Sequence, residues 1–300
     1  MMKQNKVQIL LSTYNGEKYL EQLLDSLVNQ EYVDISILIR DDGSTDDTLS
    51  IIESYIDSNK DVEIFLIKGK NIGYQKSFFE LVKLAGDADY YAFCDQDDYW
   101  LSDKMYSAVK LLKLENNSIP LLYTSNVTTV DSDLQPLNKN LFKENRVLDI
   151  YESFQKSILP GCTFVFNNSA REAISRYDGY CESHDWAIYC ICNTLGKVVF
   201  DNNPKILYRL HGSNTIGQSE NSFFEIVEKI KRFLKKSSCA RSRFASDFFA
   251  CYKAEVPIEC RNSIKNLGDY RFSFLSKKEL LFDKNFKGII FKLYVLLNRV

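Results

Sequence analysis

The sequence has little histidine, two residues in 300, and no Cys-x-x-Cys pair although it carries eight cysteines. Without paired cysteine spacing a zinc finger or ribbon is excluded, and the cysteines read as reduced, small, mostly buried hydrophobes. Cys190 and Cys192 would share one face only in an extended segment, so they assign no metal. No apolar run approaches the ~20 residues that cross a bilayer; the C-terminal stretch from Gly288 to Leu297 covers ten positions. The N-terminal MMKQNKVQILLSTYN lacks the long apolar region and cleavage site of a signal peptide, and its short apolar run is strand-sized. A cytoplasmic chain is the expectation. Neither a long Pro/Gly/Ser linker nor an internal repeat interrupts the sequence, which argues for one catalytic domain plus an appendage.

What is present is an ordinary globular balance, 45% hydrophobic and 26% charged residues, which decides against disorder. The net charge of -2 hides an asymmetry: residues 221–300 hold 17 Lys/Arg against 8 Asp/Glu, a net of +9, leaving -11 on residues 1–220. The C-terminal part therefore suits an anionic neighbour, with nucleic acid and a phospholipid surface as the two candidates. A soft boundary falls near Gly217, giving a domain over 1–217 and a basic helical extension over 218–300.

Read in order, Val7 to Leu11 is an apolar strand closed by the polar Ser12–Gly16, and Glu17 to Asn29 places Leu20, Leu23, Leu24, Leu27 and Val28 at helical spacing. A second strand, Ile35 to Arg40, runs into Asp41-Asp42-Gly43-Ser44, and Thr45 to Thr48 opens a second helix. Val62 to Ile67 gives a third strand, and Ser77 to Leu84 lies in the next helix. Tyr90 to Cys94 gives a fourth strand ending in Asp95-Gln96-Asp97-Asp98. This alternation is the sequence form of parallel βαβ units, and ligands in such sheets bind beyond the carboxyl ends of the strands. Further on, Lys104 to Leu114 reads as a helix, Leu121 to Val130 and Thr163 to Phe166 as strands, Ser183 to Leu195 as a helix and Val198 to Asn202 as the last strand.

The segment Phe93 to Trp100 places three carboxylates within four residues after an apolar strand, a cluster whose mutual repulsion is costly unless a cation neutralises it. Mg²⁺ or Mn²⁺ takes one or two such carboxylates and completes its shell with phosphate oxygens and water. Asp46 and Asp47 read as first-turn helix residues, whereas Asp41 and Asp42 precede the helix and are free to accept hydrogen bonds from a nucleobase or ribose. Glu182 to Trp186 sets Asp185 beside an aromatic, suiting a general base held against a sugar ring, with a helix N-cap as the alternative. Tyr208 to Asn214 reads as a loop after the last strand, in which Arg209 suits phosphate and His211 suits a metal or leaving group.

Together these stretches resemble glycosyltransferase family 2, nucleotide-sugar transferases of the GT-A fold. The likeness runs in order through LLSTYNGEKYLEQLLDSLVNQ, IRDDGSTDDTLSII, NIGYQKSF, FCDQDDYW, ESHDW and YRLHGSN, covering residues 6 to about 217. It implies an α/β, Rossmann-like, mostly parallel central sheet flanked by helices, with a nucleotide-sugar half over about 1–100 and an acceptor half over about 101–217. It implies that Thr13, Tyr14, Asn15, Asp41, Asp42 and Arg209 bind the nucleotide sugar, and that Asp95 and Asp97 form the Asp-x-Asp motif. In that motif Asp97 is the direct ligand of Mg²⁺ or Mn²⁺ and Asp95 lies nearer ribose or metal, with His211 as a third metal ligand. It further implies that Asp185 is the catalytic base, with Trp186 and His184 on the acceptor side. The wording of FCDQDDYW and YRLHGSN is most similar to bacterial rhamnosyltransferase-like members. A dTDP- or UDP-sugar donor, a glycan or polyprenyl-linked acceptor, inversion at the anomeric carbon and a role in surface polysaccharide synthesis are the resulting expectations.

Two other classes compete. A carboxylate-metal phosphohydrolase or nucleotidyltransferase also gathers Asp residues around Mg²⁺ but releases phosphate or pyrophosphate. A nucleic-acid-binding protein would use Lys229, Lys231, Arg232, Lys235 and Lys236, against which stands the acidic face of the first 220 residues, so no nucleic-acid partner is expected. The expected role of the extension is peripheral contact with the cytoplasmic face of a membrane, through Phe223 to Leu234 and the apolar C-terminal stretch.

Overall fold

The computed structural model describes residues 5–138, 142, 147–156, 158–210, 239–298 and 300. The chain divides into two compact units: Met1–Val147 with Ile158–Arg176 and Ser183–Gly212, and Leu148–Ser157 with Tyr177–Glu182 and Ser213–Val300. The expected boundary at 217 lies outside the described residues, as do His211 and the stretch from Phe223 to Leu234.

The first unit is built on a seven-stranded sheet. Its strands are β1 (Lys6–Thr13), β2 (Asp34–Asp41), β3 (Glu63–Lys68), β4 (Tyr90–Cys94), β6 (Leu121–Ser125), β9 (Val165–Asn167) and β10 (Lys197–Asp201), in the order β10-β6-β9-β4-β1-β2-β3. All pairings are parallel except those of β9, which runs antiparallel to both β4 and β6. A second sheet has the order β5-β11-β7-β8, from β5 (Tyr99–Trp100), β7 (Thr128–Val130), β8 (Pro136–Asn138) and β11 (Ile206–Arg209).

The helices flanking the main sheet are α1 (Leu20–Val28), α2 (Thr48–Ser58), α3 (Tyr74–Leu84), α4 (Lys104–Leu112), α6 (Asn168–Ser175) and α7 (His184–Leu195). Helix α1 buries Leu20, Leu23, Leu24 and Leu27, the i, i+3, i+4, i+7 stripe, in the cluster that also holds Val7, Ile9 and Leu11 of β1. Each such side chain contributes about 1.5–3 kcal/mol on burial, so the apolar spacing that predicts the helix is also what holds it to the sheet.

Register decides where function can sit. Thr13 pairs with Asp41 and Leu11 with Cys94, so β1, β2 and β4 end at one level and their polar loops leave the sheet side by side.

Two expectations are corrected. The run from Leu121 to Val130 is two strands in two sheets, because the chain breaks at Asn126, whose backbone N–H donates to the Asp201 carbonyl and whose Oδ1 accepts from Val127 N. A short polar side chain that satisfies its own backbone interrupts a ladder in this way. Val198 to Asn202 is not the last strand: β11 follows and carries Tyr208 and Arg209, both read from sequence as loop.

The second unit holds α5 (Ile150–Ser153), α8 (Ala240–Tyr252), α9 (Ile258–Asp269), α10 (Phe274–Phe282) and α11 (Ile289–Leu296). Segments 148–157 and 177–182 join it because their aromatics pack there: Phe154 meets Phe248 at 5.2 Å and Tyr177 meets Phe244 at 5.6 Å between ring centroids. Among the described residues no helix is long and apolar enough to cross a membrane.

Candidate active site

At the ends of β1 and β2 the chain binds itself tightly. Asp41 Oδ1 accepts from Gly43 N and Ser44 N, while its Oδ2 accepts from the hydroxyls of Thr13 (3.0 Å) and Ser44 (2.5 Å). Two acceptor positions per carboxylate oxygen are thereby filled, so Asp41 and Thr13 shape the loop and leave no free lone pair for a nucleotide. Asp42 accepts from Arg40, Ile72 N and Gly73 N, which leaves one position open on Oδ2. Asn15 sits at φ 48°, a region that asparagine tolerates, and its Oδ1 accepts from Thr45 N. Of the five residues expected to hold the nucleotide at this edge, the Tyr14 ring, 45% exposed, and the exposed Asn15 keep the most capacity for a ligand, whereas Asp42 is buried. Asp46 and Asp47, read from sequence as first-turn residues, both precede α2: Asp47 takes the N-cap position and Asp46 accepts from Thr48 N and its hydroxyl.

The loop after β4 splits its three carboxyls. Asp95 and Asp97 are half-buried, and Asp98 is buried. Burial, then the charges of Asp97 and Asp185, push the Asp95 carboxyl up to about 7. Burial, then the charges of Asp97 and Asp95, push Asp98 well above the usual carboxylate range, while Arg209 N donates to its Oδ1. Beneath it Lys104 is fully buried with its Nζ 3.3 Å from the Trp100 ring centroid, and burial lowers its pKa to about 7. A cation over an aromatic face in a dry site recovers part of its lost hydration.

Between the two aspartate-bearing loops stands Gln96. Its Oε1 accepts from Tyr14 N at 2.7 Å and its Nε2 donates to the Tyr14 carbonyl at 3.0 Å, fastening the end of β4 to the end of β1. Gly16 makes room for this clamp, since a Cβ there would come within 2.4 Å of Gln96 Oε1. Gly16→Ala and Gln96→Ala are therefore expected to raise KM for the donor severalfold while lowering stability by only about 1 kcal/mol. Steady-state kinetics alongside denaturant titration checks the split, and an unchanged KM in both variants would remove the clamp from the site.

The charge of Asp185 reaches Asp95 from α7. This aspartate lies in the first turn of α7, whose N-cap position is taken by Ser183, so the N-cap alternative is set aside. Its Cβ and the His184 Nε2 each lie 3.0 Å from where a Cβ on Gly161 would be. The next residue, Cys162, offers its Sγ within 4.8 Å of carboxylate oxygens of Asp95 and Asp98. The 3-10 turn Gly161–Thr163, entering β9, thus links Asp185 to the acidic loop.

Three expectations change. His184 is buried, stacked on Phe78 at 4.1 Å and edge-on to Phe93, with burial lowering its pKa to about 4, so it is a neutral core residue and not an acceptor contact. Trp186 is also buried and offers no face to an acceptor. Arg209 is consumed within the protein: its guanidinium donates to the Asp97 carbonyl at 2.6 Å and to Gln22, and lies 4.4 Å from the Tyr19 ring centroid. It braces the acidic loop and is not placed to bind phosphate.

Residues 8–174 match the Glycosyl transferase family 2 sequence profile. The chain belongs to that family. Among its relatives, the dTDP-rhamnosyl transferase RfbG of Shigella flexneri is 32% identical over 219 residues, 69% of this chain and 73% of that protein. The UDP-Glc:alpha-D-GlcNAc-diphosphoundecaprenol beta-1,3-glucosyltransferase WfaP of Escherichia coli is 24% identical, with 74% of this chain and 83% of that one covered. Of solved structures, S. aureus TarS 1–349 in complex with UDP-GlcNAc superposes with a TM-score of 0.59 at 16% identity, covering 98% and 88% of the two chains. The mannosyltransferase PcManGT from Pyrobaculum calidifontis, in complex with GDP-Man and Mn²⁺, gives 0.53 at 15% identity, covering 93% and 73%. The fold is the expected GT-A type, and this family 2 member is a glycosyltransferase.

In this glycosyltransferase the sequence reading missed Gln96, Cys162 and Lys104. Gln96 lay in plain view between two aspartates, but an amide's role depends on what stands 82 positions away in the chain. Lys104 gave no signal, because a lysine opening a helix reads as solvated.

Proposed function

We propose that the chain transfers a sugar from a nucleotide diphosphate to a hydroxyl of a glycan or polyprenyl-linked acceptor, with inversion at the anomeric carbon and with help from Mg²⁺ or Mn²⁺. One observation carries this reading: the half-buried Asp95 stands within electrostatic reach of both Asp97 and Asp185, at an edge where three parallel strands end. The residues fit a hard cation. Asp98 Oδ2 is buried without a hydrogen-bond partner in the group formed with Asp95 and Cys162. The Cys162 thiol is held protonated by burial and the nearby carboxyls, which leaves oxygens as the ligands. Asp95 and Asp97 would hold the ion, which when bound neutralises charge growing on the departing diphosphate.

The chain's own residues supply the rest. Asp185 accepts the proton of the acceptor hydroxyl as its oxygen attacks the anomeric carbon from the face opposite the diphosphate. Gln96 and Arg209 hold the β4 loop rigid, so that the carboxylates need not reorganise as charge develops. Tyr14 and Asn15 face the nucleoside. The relatives' names favour a dTDP- or UDP-linked donor and a part in polysaccharide synthesis. Incubating the protein with candidate nucleotide sugars, Mn²⁺ and acceptor, then identifying products, tests the reading. It requires a nucleoside diphosphate and a glycoside of inverted configuration; release of inorganic phosphate or pyrophosphate would overturn it.

A pH dependence follows from Asp95. The carboxyl titrates at about 7 and must lose its proton to hold a cation, so Mn²⁺ affinity rises up to about tenfold per pH unit below 7 and levels off above it. For folding without metal the sign reverses. A pKa raised above the unfolded value adds stability that is complete below the ordinary carboxylate range and is lost as pH rises through about 7. Melting curves across that range, with and without Mn²⁺, should diverge as pH increases.

A further inference from the structure

The second unit leaves a large amount of apolar surface uncovered. Helix α11 carries one charged residue, Lys292, among mostly apolar ones: Phe291 and Val295 pack inward, whereas Ile289, Ile290, Leu293 and Leu296 are exposed. Phe274 and Phe282 are exposed at the two ends of α10, as is Phe272 just before it, and Phe272 and Ile289 are each 88% exposed. The two helices are tied together, since Lys277 of α10 donates to the Leu296 carbonyl and to Asn298. Apolar surface of this extent in one short segment marks an interaction face rather than scattered exposure.

Charge identifies the occupant. Residues 271–300 carry seven Lys/Arg against two acids. Glu279 is engaged by Asn266 and Asp283 by Ser263 and Asn285 N. Arg271, Lys278, Lys284 and Lys287 are exposed among the phenylalanines and isoleucines. A two-fold contact between copies would set this positive patch against itself. An anionic bilayer instead offers an apolar layer for the phenylalanine, isoleucine and leucine side chains and phosphates for the lysines, whose stems bridge the two depths. Helix α11 is eight residues long, about 12 Å, and so can lie in the interface but not cross it. We infer that α10 and α11 form a docking surface for an anionic phospholipid membrane.

Co-sedimentation of the full chain with vesicles tests this without reference to catalysis. Binding is expected to vesicles of phosphatidylcholine mixed with phosphatidylglycerol, and to fall with added salt and on pure phosphatidylcholine. Lys284→Gln with Lys287→Gln should weaken it about 25-fold, about fivefold for each lysine near an anionic surface. Ile289→Ser with Ile290→Ser should weaken it by at least tenfold. All four positions are exposed, so the variants should keep the parent's melting curve. No sedimentation with anionic vesicles, or sedimentation unaltered in both variants, overturns the proposal. So does a dimer in light scattering that the isoleucine variant dissociates while the parent ignores vesicles.

Discussion

Asp185→Asn is expected to lower kcat for sugar transfer by about 10²–10⁴-fold, the range for a positioned proton acceptor, while leaving donor affinity nearly unchanged. The asparagine has the same shape but cannot take the acceptor's proton. Asp185 is half-buried at the head of α7, so little stability depends on it. Asp97→Asn should behave differently. It removes a ligand charge from the cation site, so Mn²⁺ and donor binding weaken together with kcat, and it relieves the repulsion that raises Asp95. The Asp95 titration should then move down toward the ordinary range. Calorimetry with Mn²⁺ and nucleoside diphosphate, beside single-turnover kinetics, separates the two variants. If both lose only kcat, Asp97 is not a cation ligand.

Arg209→Met is expected to cost on the order of 3–5 kcal/mol in folding stability and to abolish tight donor binding. The guanidinium supplies hydrogen bonds to the Asp97 carbonyl and Gln22 and stacks on Tyr19, all in a buried setting. Hydrogen bonds from charged donors contribute about 1.5–3 kcal/mol each, and their loss leaves buried acceptors unpaired. Arg209→Lys should recover little, because an ammonium cannot present two parallel donors while lying over a ring. Urea denaturation measures the first effect and calorimetry the second. A methionine variant as stable as the parent would show that the acidic loop holds its shape unaided.

The site illustrates why residues rich in chemistry can be assigned the wrong partners from sequence. Arg209, His184 and Trp186 sit in motifs that suggest ligand contacts, and each is buried. Arg209 turns inward because β11 pairs antiparallel with β5, with Ile206 opposite Trp100, which brings the arginine beneath the loop it braces. His184 is enclosed because Phe78 of α3 and Phe93 of β4 converge on the first turn of α7. Neither fact is written in the spacing of nearby residues. Asp41 went the same way: a strand-end aspartate suits a ribose, but its carboxylate is saturated by Gly43, Ser44 and Thr13.

The sequence by itself determined the strands and helices of the first hundred residues, the convergence of their polar ends and the family. Those features depend on hydrophobic period and on motifs a few residues long, which are local properties of the chain. Only the tertiary structure decided which carboxyls are pushed upward, which arginine serves as a brace, and that Asp185 raises the pKa of a group 90 positions earlier. Burial and charge act through space, and the distances that set them arise only when the strands take their register.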